Sequence, residues 1–137
     1  DVYGVFLGMK AVLKSMKEHQ SGSIINISSV SGLRGAPTGV AYNAAKFAVT
    51  GMTKAAAADL GDYNIRVNSV HPGTFETELA SQGDVAEYVN ELSKTILLKR
   101  LGKAKEVANM VLFLASDEST YCTGAEFVVD GGMISDL

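Results

Sequence analysis

Ser29, Tyr42 and Lys46 are the residues of this chain whose types and spacing could do chemistry. Thirteen positions separate the serine from the tyrosine, and four separate the tyrosine from the lysine. Residues four apart share a helix face, so one helix can present a phenol and an ammonium to a single cleft. A cation beside a phenol favours its ionised form and eases proton transfer. A serine hydroxyl opposite them can donate a hydrogen bond to a carbonyl oxygen or a developing alkoxide. Such a set exchanges a proton with an alcohol or ketone, without a metal, while a separate cofactor carries the hydride.

Many surface helices carry a Tyr and a Lys four apart, so the elements around the pair decide its meaning. Ser29 follows Ser23-Ile24-Ile25-Asn26-Ile27-Ser28, an Ile-rich run that reads as a strand buried on both faces of a parallel sheet. Residues 31–40 hold three glycines and a proline and should form a loop over the cleft. A helical pattern then runs over 42–60, rich in alanine, with Gly51 in its interior. A glycine there costs about 1 kcal/mol against alanine, so Gly51 is expected to serve close packing.

Upstream, Val2, Val5, Phe6, Met9, Val12, Leu13 and Met16 recur at steps of three and four, an amphipathic helix that Gly22 is placed to end. Downstream, 64–71 reads as a strand cut off by Pro72-Gly73. Residues 74–100 are less regular, with helix expected over 85–97. Val107, Met110, Val111 and Leu114 mark another helix, Thr123-Gly124 a turn, and 126–130 a last strand closed by Gly131-Gly132. Alternating strands and helices predict an α/β fold, a doubly wound parallel sheet in one domain over 1–137.

Composition bounds the function. Of the 137 residues, 47% are hydrophobic and 20% charged, the balance of a globular α/β protein. A net charge of −3 with no basic run argues against nucleic acid as a partner. Cys122 is the only cysteine, so it reads as a reduced thiol. No apolar run reaches membrane-spanning length and no signal peptide opens the chain, so a cytoplasmic enzyme away from membranes is expected. His19 and His71 are far apart, with no cysteine or carboxylate at ligand spacing; they read as ordinary surface or strand-end histidines, and no metal site is expected. Glu76, Glu78, Asp84 and Glu87 read as solvated loop positions.

Ser29, the Tyr42-Asn43-Ala44-Ala45-Lys46 stretch and further matches downstream resemble the short-chain dehydrogenase/reductase family. The wording of 22–29 and 66–73 looks closest to bacterial hydroxysteroid and secondary-alcohol dehydrogenases; acyl-carrier-protein ketoreductases share much of it. The resemblance implies a Rossmann-type sheet and NAD or NADP as cofactor, with a small-molecule alcohol or ketone as substrate. It makes Tyr42 the acid/base, Lys46 its helper and the ligand of the nicotinamide ribose, and Ser29 the group that polarises the carbonyl. It also lays Pro72, Gly73, Phe75 (through its backbone amide) and Thr77 against the nicotinamide. Asp1 falls where the family carries an asparagine. Arg100-Leu101-Gly102, the helix after it and Asp130-Gly131-Gly132 resemble the family's scaffold, without the proline that usually starts that helix.

The resemblance also implies a homodimer or tetramer paired through the first two helices. The family's opening strand, Gly-rich turn and helix are not in this sequence. Gly4 and Gly8 lie inside a helical pattern and read as packing residues instead. The chain therefore looks like the C-terminal part of a family member, a fragment or one partner of a split protein. It should carry an open strand edge at 23–28 and have weak nucleotide affinity by itself. The alternative is a non-catalytic split module that acts through helix-mediated association.

Overall fold

The computed structural model describes residues 2–37, 39–76 and 91–135. Helix α1 (Val2–His19) follows the apolar spacing of its sequence and places Lys17 and His19 in its last turn, where cations complement the helix dipole. It stops at Gln20, whose φ is 50°, and Ser21 N–H closes the end on Met16 O at 3.2 Å. Gln20 thus does what was expected of Gly22. The glycine opens strand β1 (Gly22–Ile27) for another reason: a Cβ there would lie 2.8 Å from Met16 Cγ.

Helix α2 (Val40–Leu60), strand β2 (Ile65–Pro72), helix α3 (Ala104–Ala115) and strand β3 (Glu126–Val129) complete the order. The three strands lie β1-β2-β3, all parallel, with Ile24 opposite Val67, Ile27 opposite Val70 and Pro72 opposite Val129. Strand alternation divides the side chains between two helical layers. On one face, Met9 of α1 and Ala57 and Leu60 of α2 form a core with Ile24, Ile65 and Val67. There the Asn26 amide donates to Thr53 Oγ1 at 2.9 Å and to Met9 Sδ at 3.3 Å. On the other face, Ser23 Oγ donates to the Leu114 carbonyl of α3 at 2.7 Å. This is the doubly wound arrangement expected.

Burial on both faces holds for β2, whose polar residues bond the connection into β3. Arg66 donates to Ser119 Oγ (2.9 Å) and Ser116 O (3.1 Å). Asn68 donates to Cys122 O (2.7 Å) and accepts from Ala125 N–H (3.1 Å). Strand β1 falls short of the expectation: Ile25 is half-buried and Ile27 is 44% exposed, because among the described residues β1 pairs only with β2. Among the described residues of this single chain, a Cβ on Gly4, Gly8 or Gly51 meets nothing within 4 Å.

Asn64 takes a left-handed φ of 56°, and β2 begins after it. Helix α3 starts without a proline. Glu106 accepts the Lys103 backbone N–H at 2.7 Å and a two-point ion pair from Arg100 at 2.8 and 2.9 Å. The Arg100 hydrogen bonds, then the Lys103 N–H, hold the Glu106 carboxyl down at about 2. Of the segment expected to be helical over 85–97, 91–95 are helical, and 85–90 lie outside the described residues with Glu78, Asp84 and Glu87.

Candidate active site

The C-terminal ends of parallel strands are where an open α/β sheet offers a crevice, and the candidate residues gather there. Ser29 leaves β1 with extended backbone and caps the short turn Val30–Gly32, its Oγ accepting the Ser31 N–H at 3.1 Å. That contact occupies a lone pair, and the hydroxyl donates its proton to no group among the described residues. The residue is buried, with 8% of its surface exposed.

Tyr42 and Lys46 come from the first turns of α2, on one face as their spacing requires. Lys46 Nζ lies 5.6 Å from the centroid of the Tyr42 ring, within cation–π reach. It also donates to Ile27 O, the last carbonyl of β1, at 3.2 Å, so one of its three donors ties α2 to the sheet. The Tyr42 side chain is half-exposed, and its hydroxyl bonds no group among the described residues.

Four residues to which the sequence pattern gave no part in the site fix these groups relative to one another. Ser28 Oγ donates to the Lys46 backbone carbonyl at 3.0 Å, and Thr50 Oγ1 lies 3.1 Å from the same carbonyl, 3.2 Å from Gly32 O and 3.3 Å from Ser28 Oγ. Gly32 permits this approach, since a Cβ would stand 2.8 Å from Lys46 O. The turn that carries Ser29 is therefore pressed directly onto the helical turn that carries Lys46. Thr50 sits four residues after Lys46, and that spacing was the available signal.

His71 is the fourth. It is fully buried, with Nδ1 2.8 Å from the Ser29 carbonyl and Nε2 2.8 Å from Ser69 Oγ. A carbonyl only accepts, so Nδ1 carries the proton and Nε2 accepts from the serine hydroxyl. Burial lowers the His71 pKa and so favours the neutral ring, against the opposing effects of its bond to Ser29 and of Glu126. The expectation of an ordinary surface or strand-end histidine is corrected. It does stand at the strand end, but sealed inside and bonded through both nitrogens. The signal was its place beside Pro72-Gly73, where a strand meets the crevice.

At the end of β2, Gly73 N–H donates to Val129 O at 3.0 Å, and a Cβ on Gly73 would lie 2.8 Å from Asp130 Cβ, so the turn packs against the end of β3. Phe75 bridges Gly102 and lays its ring on it, beside a cavity of about 220 Å3 lined by Thr74, Leu98, Arg100 and Asp130 among others. The structure thus brings Ser29, Tyr42 and Lys46 to one end of the sheet with Pro72, Gly73 and Phe75. Thr77 and Asp1 lie outside the described residues.

Comparison with known proteins agrees with this architecture. The family model described as enoyl-(acyl carrier protein) reductase matches residues 1–134. The 3-alpha-(or 20-beta)-hydroxysteroid dehydrogenase of Mycobacterium tuberculosis strain H37Rv is 52% identical over 134 residues, covering 98% of this chain and 49% of its own. The cyclopentanol dehydrogenase of Comamonas testosteroni is 47% identical over 133 residues, covering 96% and 53%. Among solved structures, ElxO with NADP bound superposes with a TM-score of 0.92 at 34% identity, covering 98% of this chain and 55% of that one. The chain spans about half the length of the curated relatives it matches.

Proposed function

Because the chain belongs to the short-chain dehydrogenase/reductase family, we propose that the protein transfers a hydride between NAD or NADP and a secondary alcohol or ketone. The observation that carries this reading is the half-exposed Tyr42 phenol with the Lys46 ammonium 5.6 Å from its ring centroid, together with a serine whose hydroxyl donates to no group among the described residues. The hydroxysteroid and cyclopentanol dehydrogenases named above support the substrate class.

The residues present fit the nicotinamide end of such a cofactor. Lys46 uses one donor on Ile27 O and keeps others for a ribose diol, and the Pro72–Phe75 turn, at the end of the neighbouring strand, would take the nicotinamide. When bound, the nicotinamide supplies or accepts the hydride. Ser29 Oγ–H donates to the substrate oxygen and stabilises charge that builds there. Tyr42 Oη gives that oxygen a proton in ketone reduction and takes it in alcohol oxidation, with the Lys46 charge favouring the phenolate side of the exchange. The buried floor of Ser29, Val30 and His71 excludes water beneath.

A further part of the reading concerns assembly. An apolar groove of about 440 Å3 between α1 and α2, lined by Phe6, Leu13, Met52 and Ala56 among others, is where a second copy would pair, giving a dimer or tetramer. Turnover of a panel of cyclic and steroidal secondary alcohols with NAD and with NADP tests the chemical reading. A folded protein, expressed as its gene encodes it, that oxidises none of them with either nucleotide would overturn it.

A further inference from the structure

We infer that His71 is a positioning residue for Ser29: its Nδ1–H grips the Ser29 carbonyl and thereby sets where the serine hydroxyl meets the substrate oxygen. The inference rests on reading Ser29 as the group that faces that oxygen.

Three features of the geometry carry it. First, Ser29 lies past the last paired residue of β1, so strand pairing no longer fixes it: the ladder ends with Ile27 opposite Val70 and Ser28 N–H on Val70 O. Beyond that point the imidazole is the cross-strand link. It reaches from β2 to the Ser29 carbonyl at 2.8 Å, where the Gly32 N–H also donates at 2.9 Å. Second, the ring cannot turn. It is fully buried, its far nitrogen is held by Ser69 Oγ at 2.8 Å, and Ser69 N–H is in turn bonded to Ala125 O at 3.1 Å. The chain β3 approach–Ser69–His71–Ser29 thus ties the catalytic turn to the middle of the sheet. Third, the same strand that supplies His71 continues directly into Pro72-Gly73. One residue therefore couples the wall proposed for the nicotinamide to the serine proposed for the substrate.

A sealed histidine is an expensive way to fill space beside aliphatic Val70, because both nitrogens must find partners. Here both do, and one of those partners is the main chain of the residue whose hydroxyl does the chemistry. A displacement of about 1 Å at such a group costs about 100-fold in rate.

The test uses the protein as its gene encodes it, with turnover of a secondary alcohol or its ketone. Three replacements divide the functions of the ring. His71→Asn keeps an N–H at the same number of bonds from Cα as Nδ1, His71→Gln keeps one at the reach of Nε2, and His71→Leu keeps neither. The expected result is a fall in kcat of about 10- to 100-fold for Leu and for Gln, with the nucleotide KM unchanged and most of the loss restored in Asn. In a Ser29→Ala background, His71→Leu should cost nothing further in kcat, since the two act as one unit. Long-range 1H–15N correlation on the unaltered protein should show Nδ1 protonated and Nε2 bare.

Equal kcat in all three variants, full additivity with Ser29→Ala, or a ring protonated at Nε2 would overturn the inference. Ser29→Ala with undiminished turnover would instead overturn the reading of Ser29 on which it stands. If His71→Leu does not fold, the Asn and Gln pair and the tautomer measurement still decide it.

Discussion

Gly32→Ala is the perturbation whose cost follows most directly from the geometry of the site. The added Cβ would stand 2.8 Å from the Lys46 carbonyl oxygen and 3.0 Å from its carbon, and would also strike Ser28 Oγ. The helix backbone cannot yield locally, so the turn must retreat. Ordinary contact begins at 3.4 Å, so the retreat is about 3.4 − 2.8 = 0.6 Å. Thr50 Oγ1 already reaches Gly32 O at 3.2 Å, and that bond does not survive the movement. Overpacking of this kind costs about 1–3 kcal/mol and the lost hydrogen bond about 1 kcal/mol, giving about 2–4 kcal/mol in all. Urea unfolding reads it as a lower midpoint at unchanged slope. Gly61→Ala is the control. Its φ of −57° suits alanine and a Cβ there meets nothing within 4 Å, so a gain of about 0.4–1 kcal/mol is expected. If Gly32→Ala unfolds at the wild-type midpoint, or Gly61→Ala loses as much as it does, the close seating of the turn on α2 is wrong.

Three further outcomes are expected. The Glu106 carboxyl is held at about 2 in the folded chain against an ordinary 4.5, so its contribution to stability is complete above 4.5 and lost as pH falls through about 2; acid titration of stability should flatten over that window in Glu106→Gln, and an unchanged acid slope contradicts the Arg100 pairing. Thr53→Val removes the buried oxygen that receives the Asn26 amide at 2.9 Å, which should cost about 1–3 kcal/mol, and adding Asn26→Leu should recover much of it because no polar group is then stranded; a doubled loss contradicts this. Calorimetric titration of the 137-residue chain with NADH or NADPH should give binding weaker than micromolar, since its sequence contains no strand, Gly-rich turn and helix to cradle a pyrophosphate; micromolar binding to the folded chain contradicts that.

Much of the sheet was legible because its signals are local. The Ile-rich run of β1, the three-and-four spacing of α1 and the turn at Pro72-Gly73 each report on their own segment. The Tyr42–Lys46 pairing was legible for the same reason, since helical spacing alone brings the two together. What the sequence hid was long-range. Nothing near Gly22 says that Met16 will lie over it, so its role as helix terminator was a fair expectation that Gln20 filled instead. Gly51 carries no mark of whether its face meets another element, and among the described residues of this chain a Cβ there meets nothing within 4 Å. His71 is the clearest case. Its type suggested a strand-end or surface residue, while its function depends on Ser29, far off in sequence and adjacent only through the parallel register of β1 and β2.

The central claim is that Tyr42, assisted by Lys46, exchanges a proton with the substrate oxygen. Its most direct test is the turnover of Tyr42→Phe in the protein as its gene encodes it, with circular dichroism and the urea midpoint recorded on the same sample. Tyr42 is half-exposed and its hydroxyl bonds nothing among the described residues, so its removal should leave the fold and midpoint at wild-type values. Turnover should fall by at least about 100- to 10,000-fold. A Tyr42→Phe protein that keeps near wild-type turnover would contradict the account.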